Sequence, residues 1–244
     1  MTHLTPTDIE SVERATIHAV APPEVLEIGQ WLVPLEAGPI NRAKSAVPLS
    51  HEVDASHLDA IEAAYRQRDL SPAFRIAEAP GLKAVTAEIA RRGYASELPT
   101  LVMTAPALSV AEIAAPFADL LDHPDETWGR MFLGEGFDPI DGAHRVERLT
   151  AAPDALYGAV REGGRTTAVG VISFGYGWAS IHGMRTAMER RGAGLASRLL
   201  ALFGAAALAR QVDRVFLQVE DGNPAQNLYR RAGFEEAWRY RYWR

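Results

Sequence analysis

The sequence predicts an α/β protein, α+β in its strand arrangement, built as two units, and three observations predict it. Residues up to 105 follow the order α-β-β-α-β-α-β, and residues 155–184 read as three strand-like runs of a meander. After them a glycine-rich turn opens a long helix. At 244 residues the chain exceeds the ~100–200 residues of a typical domain, so two modest cores are expected, one in 1–105 and one in 106–244.

Residues 8–19 form a helical run in which Ile9, Val12, Thr16 and Ile17 share one side; Thr7 can cap it and Ala21-Pro22-Pro23 ends it. Residues 30–35 and 43–49 read as strands joined by Glu36-Ala37-Gly38-Pro39, with Trp31, Val33 and Leu35 alternating. Residues 56–68 make a second helix with Leu58, Ile61, Ala64 and Tyr65 as its stripe. A short strand at 74–77, a helix at 82–92 closed by Gly93, and a strand at 101–104 complete the first unit. From 105 to 150 the periodicity weakens: 109–121 can be helical, then the pairs Asp138-Pro139 and Asp141-Gly142 break the pattern.

Strands are expected at 156–161, 168–174 and 179–184, joined by Gly163-Gly164-Arg165 and Gly175-Tyr176-Gly177. The glycine turn, a helix to Arg210 and a strand at 215–220 follow. Asn223 as N-cap and Pro224 at the first helical position open another helix, which Gly233 closes before an aromatic strand at 238–243. Arg91-Arg92-Gly93-Tyr94 is echoed by Arg231-Ala232-Gly233-Phe234, which suggests a duplicated unit.

Composition narrows the function. The chain has no cysteine, which removes disulfides, thiolate nucleophiles and Cys-bearing zinc sites. No apolar run approaches the ~18 residues of a membrane span, and the first residues lack a signal pattern, so a cytoplasmic protein with no membrane or nucleic-acid partner is expected. The net charge of −6 is uneven: residues 1–184 hold 14 Lys and Arg against 25 Asp and Glu, while 185–244 hold 11 Arg against 6 acids. An arginine excess beside a glycine turn suits an anionic cofactor, and the acidic remainder favours a cationic substrate, although most single charges read as solvated faces.

The turn itself is Arg190-Arg191-Gly192-Ala193-Gly194-Leu195. The first amides of a helix have no partner within it and sit at the positive end of its dipole, so this is where a chain binds an anion. It is not a nucleotide-triphosphate loop, which ends in Gly-Lys-Ser/Thr. A dinucleotide fingerprint would need a third glycine where Ser197 stands. The seven histidines are scattered without zinc spacing, and Gly-x-Ser-x-Gly is absent.

The run from Met184 through Glu189-Arg190-Arg191-Gly192-Ala193-Gly194-Leu195-Ala196, followed by Leu217-Gln218-Val219, Asn223-Pro224-Ala225 and Leu228-Tyr229-Arg230-Arg231-Ala232-Gly233-Phe234, resembles the GNAT superfamily of acetyl-CoA-dependent N-acetyltransferases. The N-terminal part, with Trp31, Arg42, Ser45 and Pro48-Leu49, resembles the degenerate first domain of two-domain bacterial members. The resemblance implies tandem GNAT-like units, each a mostly antiparallel mixed sheet flanked by helices, the second catalytic. It implies that Arg190, Arg191, Gly192, Ala193, Gly194 and Leu195 hold the coenzyme A pyrophosphate. His182, Gly183 and Met184 would meet the pantetheine and the acetyl carbonyl, Asn223 would contact the cofactor from the far side, and Tyr229 would protonate the leaving thiolate.

An ordinary phenol titrates near ~10 against ~8.5 for a thiol, so Tyr229 needs positioning and some depression to help much. Ala225, Leu228, Tyr229 and Ala232 also make a core stripe, which a structural tyrosine would satisfy as well. Glu189 and Thr186-Ala187 depart from the family pattern, and Asn223 and Tyr229 stand one residue closer than is commonest. Glu220 and His182 are candidate bases beside a water chain. The acceptor is then an amine of a small molecule, peptide or protein, and the chain a monomer or homodimer. The alternative is a non-catalytic acyl-CoA-binding sensor or scaffold.

Overall fold

A computed structural model describes residues 4–134 and 138–244. The first three residues, part of the stretch read as lacking a signal pattern, lie outside the described residues. In chain order the elements are α1 (Pro6–Val20), β1 (Glu24–Ile28), β2 (Trp31–Leu35), β3 (Val47–Pro48), α2 (Leu58–Arg66), β4 (Phe74–Ala77), α3 (Lys83–Arg91) and β5 (Ser96–Pro106). Then come α4 (Ala107–Ala111), β6 (Asp119–Leu121), α5 (Glu126–Gly129), α6 (Pro139–Ala151), β7 (Ala155–Glu162), β8 (Arg165–Gly175) and β9 (Trp178–Thr186). The last four are α7 (Leu195–Ala209), β10 (Arg214–Glu220), α8 (Gln226–Arg231) and β11 (Glu235–Trp243).

Eight strands form one mixed, mostly antiparallel sheet in the order β4-β11-β5-β10-β9-β8-β7-β6, and β1-β2-β3 form a smaller one. The meander β7-β8-β9 is antiparallel, as its glycine turns predicted. β5, which ends at Pro106, lies between β11 and β10 and is antiparallel to both. The echoed segments end α3 and α8 with a left-handed glycine each, Gly93 and Gly233, and lead into β5 and β11, which pair with one another. Among the described residues no helix is long and apolar enough to cross a membrane.

Alternation sorts the sheet faces. Ala168, Ile172, Ala179, Ile181, Val215 and Leu217 pack on one face with Leu199 and Phe203 of α7 and Tyr229 of α8. On the other face Val169 and Val171 pack with Trp128, Phe132 and Leu149 of the segment around α5 and α6. Val12 and Ala15 of α1 join Trp178, Phe216 and Tyr240 in the N-terminal cluster.

Several boundaries differ from the sequence reading. Thr5, not Thr7, caps α1: its hydroxyl accepts from the Asp8 amide at 3.2 Å and the Asp8 carboxylate accepts from the Thr5 amide at 2.9 Å, so both orphan donors are satisfied. Of the strand expected at 43–49, Ala43 ends a 3-10 turn, Asn41–Ala43, Ala46 makes a parallel bridge to Phe74, and Val47–Pro48 pairs with β2. The helix expected over 109–121 stops at Ala111, and its last residues form the edge strand β6. α8 begins at Gln226 with Ala225 as N-cap; Asn223 instead closes a turn, its Oδ1 accepting from the Ala225 amide at 2.9 Å.

Candidate active site

β9 and β10 run parallel and pair only at Ala179↔Val215, Ser180↔Phe216 and Ile181↔Leu217. Beyond that point they part, although β9 continues to Thr186 and β10 to Glu220. The cause sits on the other edge of β9. Against β8 the register shifts between Val171↔His182 and Val169↔Arg185, so Gly183 and Met184 together oppose the single residue Gly170. Such a bulge bends its strand, and Gly183 at φ +60° supplies the backbone it needs.

The parting opens a cavity of about 400 Å³, lined on the α8 side by Asn223 and Tyr229 and on the α1 side by Arg42, Arg145, His182 and Gln218. It therefore reaches both faces of the sheet, with the unpaired edge of β9 between them. A wider groove of about 1040 Å³ near His51 and Trp238 has neither parted strands nor a glycine turn, so chemistry rather than size selects the cleft.

At one end of the cleft a 3-10 turn, Met188–Arg190, leads into the glycine turn. Gly192 (φ +80°) and Gly194 (φ +77°) are left-handed, and a Cβ on either would meet nothing within 4 Å. Gly194 is the N-cap of α7 and no side chain caps that helix, so its first amides open onto free space at the positive end of the dipole. Ala193 is exposed with them, whereas Leu195 is buried and anchors the turn to the core. Arg190 reaches Glu162 at 2.7 Å, while Arg191 has no ion pair among the described residues. Burial, then the neighbouring Arg191 charge, hold the Arg185 guanidinium below its ordinary value. Gly194→Val forces a β-branched residue into the left-handed region, a cost of ~1–3 kcal/mol where the anion would sit.

Tyr229 is buried, its ring 6.0 Å from that of Phe234, and among the described residues no group hydrogen-bonds its hydroxyl. Burial pushes its pKa up, not down as the sequence reading required, so the phenol keeps its proton. It thus belongs to the core stripe and to the cavity wall at once.

His182 lies across the gap. Its Nδ1 is 3.3 Å from the Ser180 carbonyl oxygen, and its Nε2 is buried without a partner. Burial, then the Arg42 charge, push its pKa down to about 4, against the pull of the Ser180 bond. The folded state therefore binds fewer protons than the unfolded chain between the ordinary 6.5 and about 4. The stability this neutral imidazole contributes is complete above pH 6.5 and is lost as pH falls towards 4, by at most about 3 kcal/mol. A His182→Asn variant is expected to flatten the fall of melting temperature over that interval. Glu220 is exposed at the end of β10, its carbonyl accepting from the Gln226 amide side chain at 3.0 Å.

Other wall residues were missed in the sequence. The Tyr240 hydroxyl donates to Gln218 Oε1 at 2.8 Å and lies 3.2 Å from the Tyr242 hydroxyl, while Gln218 Nε2 donates to Thr16 of α1 at 2.8 Å. One signal was available: Gln218 interrupts the apolar run 215–219. Arg145, from the segment with weak periodicity, left none.

Solved structures share the fold. A GCN5-related N-acetyltransferase from Kribbella flavida superposes with a TM-score of 0.67 at 18% identity, covering 96% of this chain and 94% of that one. A tandem GNAT protein from the clavulanic acid biosynthesis pathway gives 0.64 at 15% identity, over 97% and 86%. The architecture is that of the GNAT N-acetyltransferases. In sequence, residues 6–243 match the family described as "Probable histone acetyltransferase Rv0428c C-terminal". The Mycobacterium tuberculosis protein of that name is 31% identical over 217 residues, which are 87% of this chain and 66% of the relative. The chain belongs to this family of GNAT-type acetyltransferases. It spans just under two thirds of that relative's length.

Proposed function

We propose that the chain transfers an acetyl group from acetyl-CoA directly to a primary amine of a small molecule, peptide or protein. The observation that carries this is the cleft where β9 leaves β10, with an uncapped glycine turn at its end. In this reading residues 106–244 are the catalytic unit and 1–105 the degenerate one, which lends β5 to the shared sheet.

Acetyl-CoA, when bound, supplies the activated acetyl group. The amides from Gly192 to Leu195, with Arg190 and Arg191 beside them, hold its diphosphate. The free edge of β9 at His182, Gly183 and Met184 takes the pantetheine arm as a sheet takes another strand, and an amide there polarises the acetyl carbonyl. Asn223 meets the arm from the α8 side. As the carbon–nitrogen bond forms and the carbon–sulfur bond breaks, the Tyr229 hydroxyl donates its proton to the departing sulfur, and the proton that the amine loses passes to solvent, from which Tyr229 is reprotonated. His182 stays neutral on the acceptor side, where its Nε2 accepts a hydrogen bond from the amine.

Thiol release from acetyl-CoA across an amine panel tests the reading, with calorimetry of the donor alone as its companion. Release with at least one amine is expected. Donor binding without release from any amine would instead favour the sensor or scaffold.

A further inference from the structure

The acidic composition of residues 1–184 favours a cationic substrate, yet on the acceptor side of the cleft, towards α1, no carboxylate of the described residues lines the wall. Glu220, the cavity's one carboxylate among them, is exposed at the end of β10 on the stretch that leads to Asn223, and Arg185 belongs to the stretch that leads to the glycine turn. Arg145 has Asp141 four residues before it on α6 as a counter-charge. Arg42, from the 3-10 turn Asn41–Ala43, is half-buried, and its hydrogen bond from Nη1 to Gln218 Oε1 is long at 3.4 Å. It makes no ion pair among the described residues.

A chain of hydrogen bonds fixes what the neutral groups of this side offer. The Thr16 hydroxyl donates to the Val12 carbonyl oxygen of α1 at 2.8 Å, so it can only accept from Gln218, whose Nε2 lies 2.8 Å away. That orients the amide, and Gln218 Oε1 accepts from the Tyr240 hydroxyl at 2.8 Å. With its one proton committed, the Tyr240 hydroxyl can only accept from Tyr242 at 3.2 Å. The Tyr242 oxygen therefore keeps lone pairs but no proton to give, and among the described residues no other group bonds it. His182 is fixed in the same sense: its Nδ1 carries the proton towards the Ser180 carbonyl, and its buried Nε2 is an acceptor without a partner. His182 and Gln218 are the first residues past the last β9–β10 pair, Ile181↔Leu217, and such neighbours in a parallel ladder share a face.

Lone pairs without negative charge suit the N–H groups of a neutral amine. An ammonium placed there gives up its water with no carboxylate to replace it and meets the Arg42 charge, so it sheds its proton instead. We infer, resting on the transferase reading, that the acceptor enters as a neutral, weakly basic primary amine, an α-amino group or an aromatic amine, with its two N–H groups donated to His182 Nε2 and the Tyr242 oxygen. Its lone pair then forms the bond to the acetyl carbon as the bond to sulfur breaks, and the proton it loses leaves for solvent. Gln218 and Tyr240 are positioning residues, because they hold the Tyr242 proton away from the amine. A model α-amino group titrates at ~7.7–8.0 and a lysine amine at ~10.4, so at pH 7.5 the neutral fraction of the first is about 250-fold larger.

The test uses the full chain with acetyl-CoA and reads thiol release. Dipeptide amides and p-aminobenzamide supply weakly basic amines, Nα-acetyl-lysinamide and propylamine supply alkylamines, and N-methylated dipeptide amides supply secondary amines. At pH 7.5 kcat/KM for at least one weakly basic primary amine is expected to exceed that of either alkylamine about tenfold or more, part of the larger neutral fraction being offset by weaker nucleophilicity. For an alkylamine kcat/KM is expected to rise about tenfold per unit from about pH 7 to 9, following its neutral fraction. No wall imidazole or phenol on the acceptor side imposes its own step there: burial and then Arg42 push His182 down to about 4, and burial raises Tyr242 well above its ordinary value. Tyr242→Phe, which keeps the ring, is expected to raise KM for the preferred amine about three- to tenfold with kcat little changed, and to bring the primary-to-secondary ratio towards one. Tyr240→Phe, which frees the Tyr242 proton, should fall between, and heat from acetyl-CoA reports that each variant is folded. Equal or better use of the alkylamines, a level pH profile for them, or an unchanged KM in Tyr242→Phe would overturn the inference. Acetyl-CoA binding with thiol release from no amine defeats the transferase reading; release that favours alkylamines defeats only this one.

Discussion

Replacing Glu13 by alanine is expected to remove about 3–5 kcal/mol of folding stability, a large part of what a domain of this size has. Glu13 of α1 meets Arg75 of β4 at 2.6 Å, and both side chains are almost wholly buried, Arg75 at 0% exposure and Glu13 at 3%. Burial pushes the Glu13 carboxyl up while Arg75 pulls it down, so the pair survives because each charge answers the other. Arg75 also stands 5.2 Å over the Tyr240 ring. Alanine at 13 leaves the guanidinium buried beside the Tyr240 and Tyr242 rings with no carboxylate of the described residues paired to it. The effect reaches the site, because α1 carries Thr16, which holds Gln218. Urea unfolding measures the loss, and Glu13→Leu with Arg75→Met should recover most of it, since an apolar pair of similar volume avoids desolvating either charge. A loss below about 1 kcal/mol for the alanine variant would mean that water reaches the pair.

Tyr229→Phe is expected to lower kcat about 100-fold or more, with acetyl-CoA affinity little changed. The substitution keeps the ring that packs in the core beside Phe234 and removes only the hydroxyl, which among the described residues bonds no other group. Stability should therefore hold while the sulfur loses its proton donor. Because burial raises this phenol above its ordinary value, it stays protonated through the neutral range, and no loss of activity from its ionisation is expected below pH 10. Steady-state kinetics with the variant separates this role from packing: full turnover would leave Tyr229 a core residue alone.

Much of the cleft was legible because its signals are local. The glycine turn, the long helix behind it and the strands joined by paired glycines each depend on a few adjacent residues. β4 was read at its observed bounds, Phe74–Ala77, because it is buried at every position. β1 was missed because its Glu-Val-Leu-Glu-Ile pattern is largely exposed and shows little alternation. The pair Asp138-Pro139 was read as a break, yet it starts α6: the Asp138 carboxylate accepts from the Ile140 and Asp141 amides, and proline takes the first turn. Turn and helix start share this chemistry, and only the packing of Leu149 and Phe132 on β8 decides between them. The acceptor side was less legible still. Arg42, Arg145, Gln218 and the Tyr240–Tyr242 pair of β11 come from segments joined only by the folded sheet, and beyond the polar break at Gln218 nothing along the chain brings them together.

The account rests on acetyl-CoA lying between β9 and β10 with its diphosphate on the turn before α7. Titration calorimetry of the unaltered chain and of Gly194→Val, at matched salt, addresses this directly. A saturable heat in the first, weakened about tenfold or more in the second while that variant still melts cooperatively, is the expected result. No heat from the unaltered chain, or equal heats from both, would contradict it.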